Sequence, residues 1–177
     1  MSLPMSLRLI PAFVLMGGVH LILAAATTPP TSPEWKALEK FTGSWKGVVK
    51  VTAGDGKETS FSTKNTFAPV LGGLFIEDKG GAVDGSSSQI GMWRYDAVGK
   101  KYQSWYFLAP GGEAVQFTHD WIESEQAFRG TADLGGGMTM EATDQFKGKD
   151  AYEWTIIVKG KDGTILNRMV GKQTRVR

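Results

Sequence analysis

From Trp45 to the end of the chain, apolar and polar residues alternate with a period of two, and glycine-rich or Asp-Gly turns interrupt the alternation at short, regular intervals. That period is the repeat of a strand with one buried face, so the stretch predicts an all-β fold. The interruptions fall at Gly54–Gly56, Pro69–Gly73, Asp84-Gly85, Val98–Lys100, Pro110–Gly112, Glu123–Glu125, Gly135–Gly137, Lys147–Asp150 and Lys161–Gly163. They leave about ten strands. Asp55-Gly56, Asp84-Gly85 and Asp162-Gly163 are tight-hairpin signals, because such turns need positive φ, which Gly adopts freely and Asp tolerates. Successive hairpins make an antiparallel up-and-down meander.

A meander of this length is an open sheet, a sandwich or a barrel. Closure removes the two edges at which strands aggregate, so a single closed barrel is the expected fold. Its inward face is read from the alternation: Val115, Phe117, His119 and Trp121; Tyr152, Trp154, Ile156 and Val158; Met138, Met140, Ala142 and Phe146. The opposite face is polar, as in Thr139, Glu141, Thr143, Gln145 and Lys147.

Residues 1–26 follow another rule. Met1–Arg8 is short with one positive charge, Leu9–Leu23 is a nearly unbroken apolar run, and Ala24 and Ala26 form an alanine-x-alanine pattern. This is the organisation of a secretory signal peptide cleaved after Ala26, and it predicts an exported protein, periplasmic or secreted. Pro11, Gly17, Gly18 and His20 interrupt the run, which is short for a span of roughly 20 residues. No stable membrane anchor is therefore expected after cleavage. Residues 27–33 read as a Pro/Thr-rich linker and residues 34–177 as the barrel domain. Ser32 can cap a short helix with Pro33 in its first turn, and Trp35, Leu38 and Phe41 recur at helical spacing as far as Gly43.

The chain contains no cysteine, so stability rests on packing rather than disulfides, and a lipid-modified cysteine is excluded. Arg8 leaves with the signal, so the remaining chain carries 19 basic and 18 acidic residues, a net charge of +1. Nucleic acid is not an expected partner, since phosphate contacts demand clustered positive charge. The one dense basic group, Lys172, Arg175 and Arg177, reads as the solvated end of the last strand.

Phe41-Thr-Gly43-Ser-Trp45-Lys-Gly47 resembles the Gly-x-Trp signature that opens the first strand of lipocalins and related calycin barrels. The resemblance implies that the short N-terminal helix closes one end of the barrel and that Trp45 stacks under a basic residue of the last strand. Arg175 is the best-placed partner, with Arg177 or Arg168 as alternatives. Such a cation over an indole is worth about 0.5–2 kcal/mol. Gly43, Trp45 and Arg175 are thus expected to be structural. Leu71-Gly-Gly-Leu74-Phe75 and Trp93-Arg-Tyr95-Asp96, followed by Lys100-Lys101-Tyr102 and Trp105, are similar to an uncharacterised family of bacterial exported lipocalin-like domains with no assigned activity. The Gly43-x-Trp45-x-Gly47 spacing also resembles nitrobindin-type haem barrels. Those ligate iron through a late histidine, which this chain lacks, so no haem or other cofactor is expected in that mode.

Once the signal is removed, His119 is the sole histidine, and it shares the inward face of its strand. Metal binding needs several convergent ligands, and one histidine with scattered carboxylates does not supply them. Glu77 and Asp78 are adjacent in a strand, so they point to opposite faces and cannot pair. No serine sits in a Gly-x-Ser-x-Gly elbow, and Gly135–Gly137 has no following helix to cradle phosphate. No catalytic set emerges. The aromatic residues instead suggest a cavity, since barrels of about eight or more strands enclose small ligands. Phe61, Phe67, Trp93, Tyr95, Phe117 and Trp121 are expected to form its wall, with Asn65 and His119 among its polar groups and Asp144 and Asn167 as further ones. The expected function is binding of a small, largely apolar molecule. The alternatives are a solid barrel that meets a protein through Gly80–Ser88 or Pro110–Glu113, and an enzyme using His119 as acid or base.

Overall fold

The computed structural model describes residues 31–112 and 114–177; the expected signal peptide and residues 27–30 of the linker lie outside the described residues. A single helix, α1 (Pro33–Glu39), opens the fold. Ser32 caps it, its Oγ accepting from the Trp35 amide at 3.2 Å, and Pro33 occupies the first turn, where its missing N–H costs nothing. Its buried face is Trp35, Ala37 and Leu38.

Ten strands follow: β1 (Gly43–Ala53), β2 (Glu58–Val70), β3 (Phe75–Ala82), β4 (Ser88–Asp96), β5 (Lys101–Ala109), β6 (Ala114–Ile122), β7 (Ala127–Gly135), β8 (Met138–Phe146), β9 (Ala151–Lys159) and β10 (Ile165–Arg175). Each pairs antiparallel with its sequence neighbour, and β1 pairs with β10, so the sheet is a closed up-and-down barrel. The turns fall where glycine and Asp-Gly placed them, with one difference. Pro69 belongs to β2, opposite Ile76, and the chain reverses only at the 3-10 turn Leu71–Gly73. Proline is tolerated in the last residues of a ladder, whereas the reversal needs the positive φ of Gly72 (69°) and Gly73 (82°).

Strand direction assigns the two ends. The helix, the Leu71–Gly73 turn and the β8–β9 loop lie at one end; the β1–β2, β3–β4, β5–β6 and β9–β10 turns lie at the other. The helix end is solid. Phe41, just after α1, sits at its centre with ring centroids 4.9–5.7 Å from Phe67, Trp93, Phe128, Phe146 and Tyr152. Below it the Trp45 indole is fully buried and donates to the Phe41 carbonyl at 2.6 Å.

Arg175, opposite Trp45 in the β1–β10 register, lies 4.2 Å over the indole. Its guanidinium donates to the carbonyls of Lys149 (2.9 Å), Lys40 (3.0 Å) and Thr42, tying the helix and the β8–β9 loop to the last strand. A Cβ at Gly43 would collide with this guanidinium.

The outer face carries ion pairs between neighbouring strands, among them Lys101–Asp120, Lys159–Glu141 and Lys50–Glu58. A lipid-facing barrel has the reverse arrangement, apolar outside and polar within. Among the described residues no helix is long and apolar enough to cross a membrane.

Candidate functional site

Above the aromatic floor the barrel is hollow. A cavity of about 380 Å³ runs from Phe41 to the far end, where Gly81, Ser87, Ser88, Leu108, Ala109 and Pro110 line it beside the β3–β4 loop and the β5–β6 turn. The walls are mostly apolar: Val49, Phe61 and Phe67 from β1 and β2, Val115 and Phe117 from β6, Met140 and Ala142 from β8, Trp154 and Ile156 from β9. Its size and character are those of a small-molecule pocket.

The space exists because small residues occupy inward positions between large ones. Gly171 on β10 lets the Trp154 indole lie flat across the neighbouring strand, and Gly130 on β7 makes room for the His119 ring; a Cβ at either would overlap the aromatic. Ala142 and Thr63 likewise leave volume that a larger side chain would fill.

Of the residues expected to form the wall, Phe61, Asn65, Phe67, Trp93, Phe117 and His119 line the cavity. Tyr95 and Trp121 do not. Alternation places them on the inward face as expected, but near the helix end, where they pack against the aromatic floor. Trp121 is capped there by its own turn, donating to Glu123 at 2.5 Å.

His119 is 1% exposed, its ring stacked 4.5 Å from Trp93 and 5.6 Å from Phe117. Its Nε2 is 2.8 Å from the Ser104 hydroxyl, and its Nδ1 is buried with no partner among the described residues. Burial holds the imidazole down at about 3, and the neighbouring Asp120 is too weak a counterweight to restore it. At neutral pH His119 is an uncharged residue of the cavity wall.

Two carboxyls supply the cavity's polar chemistry. Asp78 is 1% exposed and accepts from Asn65 Nδ2 at 3.0 Å and Gln89 Nε2 at 2.7 Å, while its neighbour Glu77 faces outward to Lys79. Burial outweighs those two donors and pushes the Asp78 carboxyl up to about 6. Asp144, on the inward register of β8 between Ala142 and Phe146, also lines the cavity and has no hydrogen-bond partner among the described residues. Burial, with the Asp78 charge adding to it, pushes Asp144 up to about 7.

Tyr106 accepts from Trp93 Nε1 at 2.8 Å, and burial raises both its hydroxyl and that of Tyr152 well above the ordinary phenol range. Asp78 and Gln89, which also line the cavity, were missing from the expected site. Asp78 could have been found from the inward register of Ile76 and Gly80. Among the described residues no group of three or more His, Asp or Glu is placed to hold a metal ion.

No family model and no curated protein matches the chain. Solved structures share its fold. Rv2717c from M. tuberculosis is similar at 14% identity and a TM-score of 0.59, the match covering 82% of this chain and 99% of that one. The S-type phycobiliprotein lyase CPES from Guillardia theta is similar at 11% identity and a TM-score of 0.53, covering 80% and 92%. A protein of unknown function from the DUF3598 family of Nostoc punctiforme is similar at 12% identity and a TM-score of 0.54; the match covers 78% of this chain but spans only 49% of that one. At these identities the likeness establishes a lipocalin-like barrel.

Proposed function

We propose that this protein is an exported lipocalin-like carrier, periplasmic or secreted, that holds one small, largely apolar molecule inside its barrel. The observation that carries the reading is the cavity of about 380 Å³, closed at the helix end by stacked aromatics and reached from the opposite end. A structural module gains nothing from such a void, since unfilled interior volume costs packing energy. Binding would bury the ligand's apolar surface at about 25 cal/mol per Å², offset by the costs of association. The export part of the reading rests on residues 1–26 of the sequence, and the similarity to the uncharacterised exported domains on the motifs around Leu71–Phe75 and Trp93–Asp96.

The test is titration of the ligand-free protein with an environment-sensitive apolar dye, followed by its own tryptophan emission, since Trp93 and Trp154 line the cavity. Wild type should bind one dye molecule, and Ala142→Phe, which fills the cavity from β8, should abolish binding without unfolding the barrel. Equal binding by both proteins would place the dye elsewhere and remove the support for this function.

A further inference from the structure

The cavity is apolar on most of its wall, yet its polar groups are biased in one direction. Asp144 and Asp78 both face it, and among the described residues that line it none is Lys or Arg. The two carboxyls are unequal. Asp78 is held by Asn65 and Gln89, so each of its oxygens already has a donor. Asp144 is half-buried, lines the cavity, and takes no hydrogen bond among the described residues. A carboxyl facing a low-dielectric cavity without a protein donor carries a desolvation penalty on its charge, which a ligand donor would relieve.

We infer that the cavity selects an apolar molecule bearing a protonated amine or comparable N–H donor, which pairs with Asp144 while its hydrocarbon or aromatic body lies against Phe117, Trp154 and Ile156. This rests on the binding function proposed above and names the class of ligand. The other titratable groups lining the cavity are Asp78 on β3, Tyr106 on β5, His119 on β6 and Tyr152 on β9; β1, β2 and β10 contribute none. His119 is neutral and engaged by Ser104, so no cationic side chain among the described lining residues competes for Asp144. Asp78 strengthens the selection, because a second carboxyl in a low-dielectric space attracts a cation and repels an anion. A carboxylate-bearing apolar molecule, the mirror-image cargo, meets two acids and no base.

Three ligands of nearly equal size separate the terms: 1-naphthylmethylamine, 1-methylnaphthalene and 1-naphthoate. Binding to the ligand-free full-length protein near neutral pH is followed by tryptophan emission and calorimetry. The amine should bind about tenfold or more tighter than methylnaphthalene, the gain of a charge-assisted hydrogen bond, and naphthoate should bind weakest. Asp144→Asn, with Asp144→Ser as a second variant, should erase the amine's advantage over methylnaphthalene. Methylnaphthalene binding as tightly as the amine, or an amine preference retained in both variants, overturns the inference while the binding function stands. Failure of all three to bind overturns both.

Discussion

Replacing Asp144 by Asn should stabilise the ligand-free barrel, and by an amount that grows with pH. The carboxyl titrates near 3.8 when the chain is unfolded and at about 7 in the folded barrel, where burial and the Asp78 charge oppose its ionisation. Folding therefore favours the protonated acid. Its contribution is complete below about pH 3.8 and is lost as pH rises through about 7. A shift of about three units, at about 1.36 kcal/mol each, is worth about 4 kcal/mol in all, of which about 3 kcal/mol falls between about pH 4.5 and about pH 8. Asp144 is partly exposed, so solvent screening makes that figure a ceiling.

Asn keeps the shape of the side chain and does not titrate. Urea unfolding of both proteins at the two pH values gives the quantity directly, because subtracting wild type from variant cancels groups independent of Asp144, His119 included. The advantage of Asp144→Asn should be about 1–3 kcal/mol larger at the higher pH. An advantage that stays constant within about 0.5 kcal/mol would refute the placement of an unpartnered carboxyl on the cavity wall.

His119 acts in the opposite direction: its folded value is lowered to about 3, so its contribution is present above about pH 6.5 and is lost as pH falls toward 3. His119→Phe should flatten the acid limb of a stability profile taken by urea unfolding, whereas an unchanged limb would mean that His119 is solvated. Arg175→Met removes the cation over Trp45 and leaves three carbonyls without their donor, and a loss of about 2–4 kcal/mol in the same assay is expected. Gly171→Ala should cost about 1–3 kcal/mol, because the added methyl overlaps the Trp154 indole; a thermal midpoint equal to that of wild type would contradict the packing of β9 on β10.

The barrel was legible in the sequence because its determinants are local. Period two marks a strand, Asp-Gly marks a turn, and both can be read within a few residues of where they act. Pro69 misled because a proline ends most strands but is accommodated next to the end of a ladder. The site was legible only in part. Alternation tells which face a side chain takes but not its height along the barrel axis, and this is why Tyr95 and Trp121 belong to the packed floor while Phe117, on the same face of β6, lines the cavity.

Asp78 was overlooked because β3 has one apolar and one acidic residue on each face, Phe75 and Glu77 outward, Ile76 and Asp78 inward. Hydrophobicity alone cannot orient such a strand. The aromatic residues suggested a cavity but not its extent, which depends on volumes summed across all ten strands, with Ala142 and Thr63 small where Phe117 and Trp154 are large.

The claim on which the rest depends is that the hollow barrel carries a ligand. Native mass spectrometry of the protein purified from its own host, repeated under denaturing conditions, measures this without assuming what the ligand is. The account predicts a single non-covalent mass that is present in the folded protein, is lost on unfolding, and is absent from Ala142→Phe. A folded wild-type protein of bare mass, unchanged by incubation with apolar amines, would contradict it.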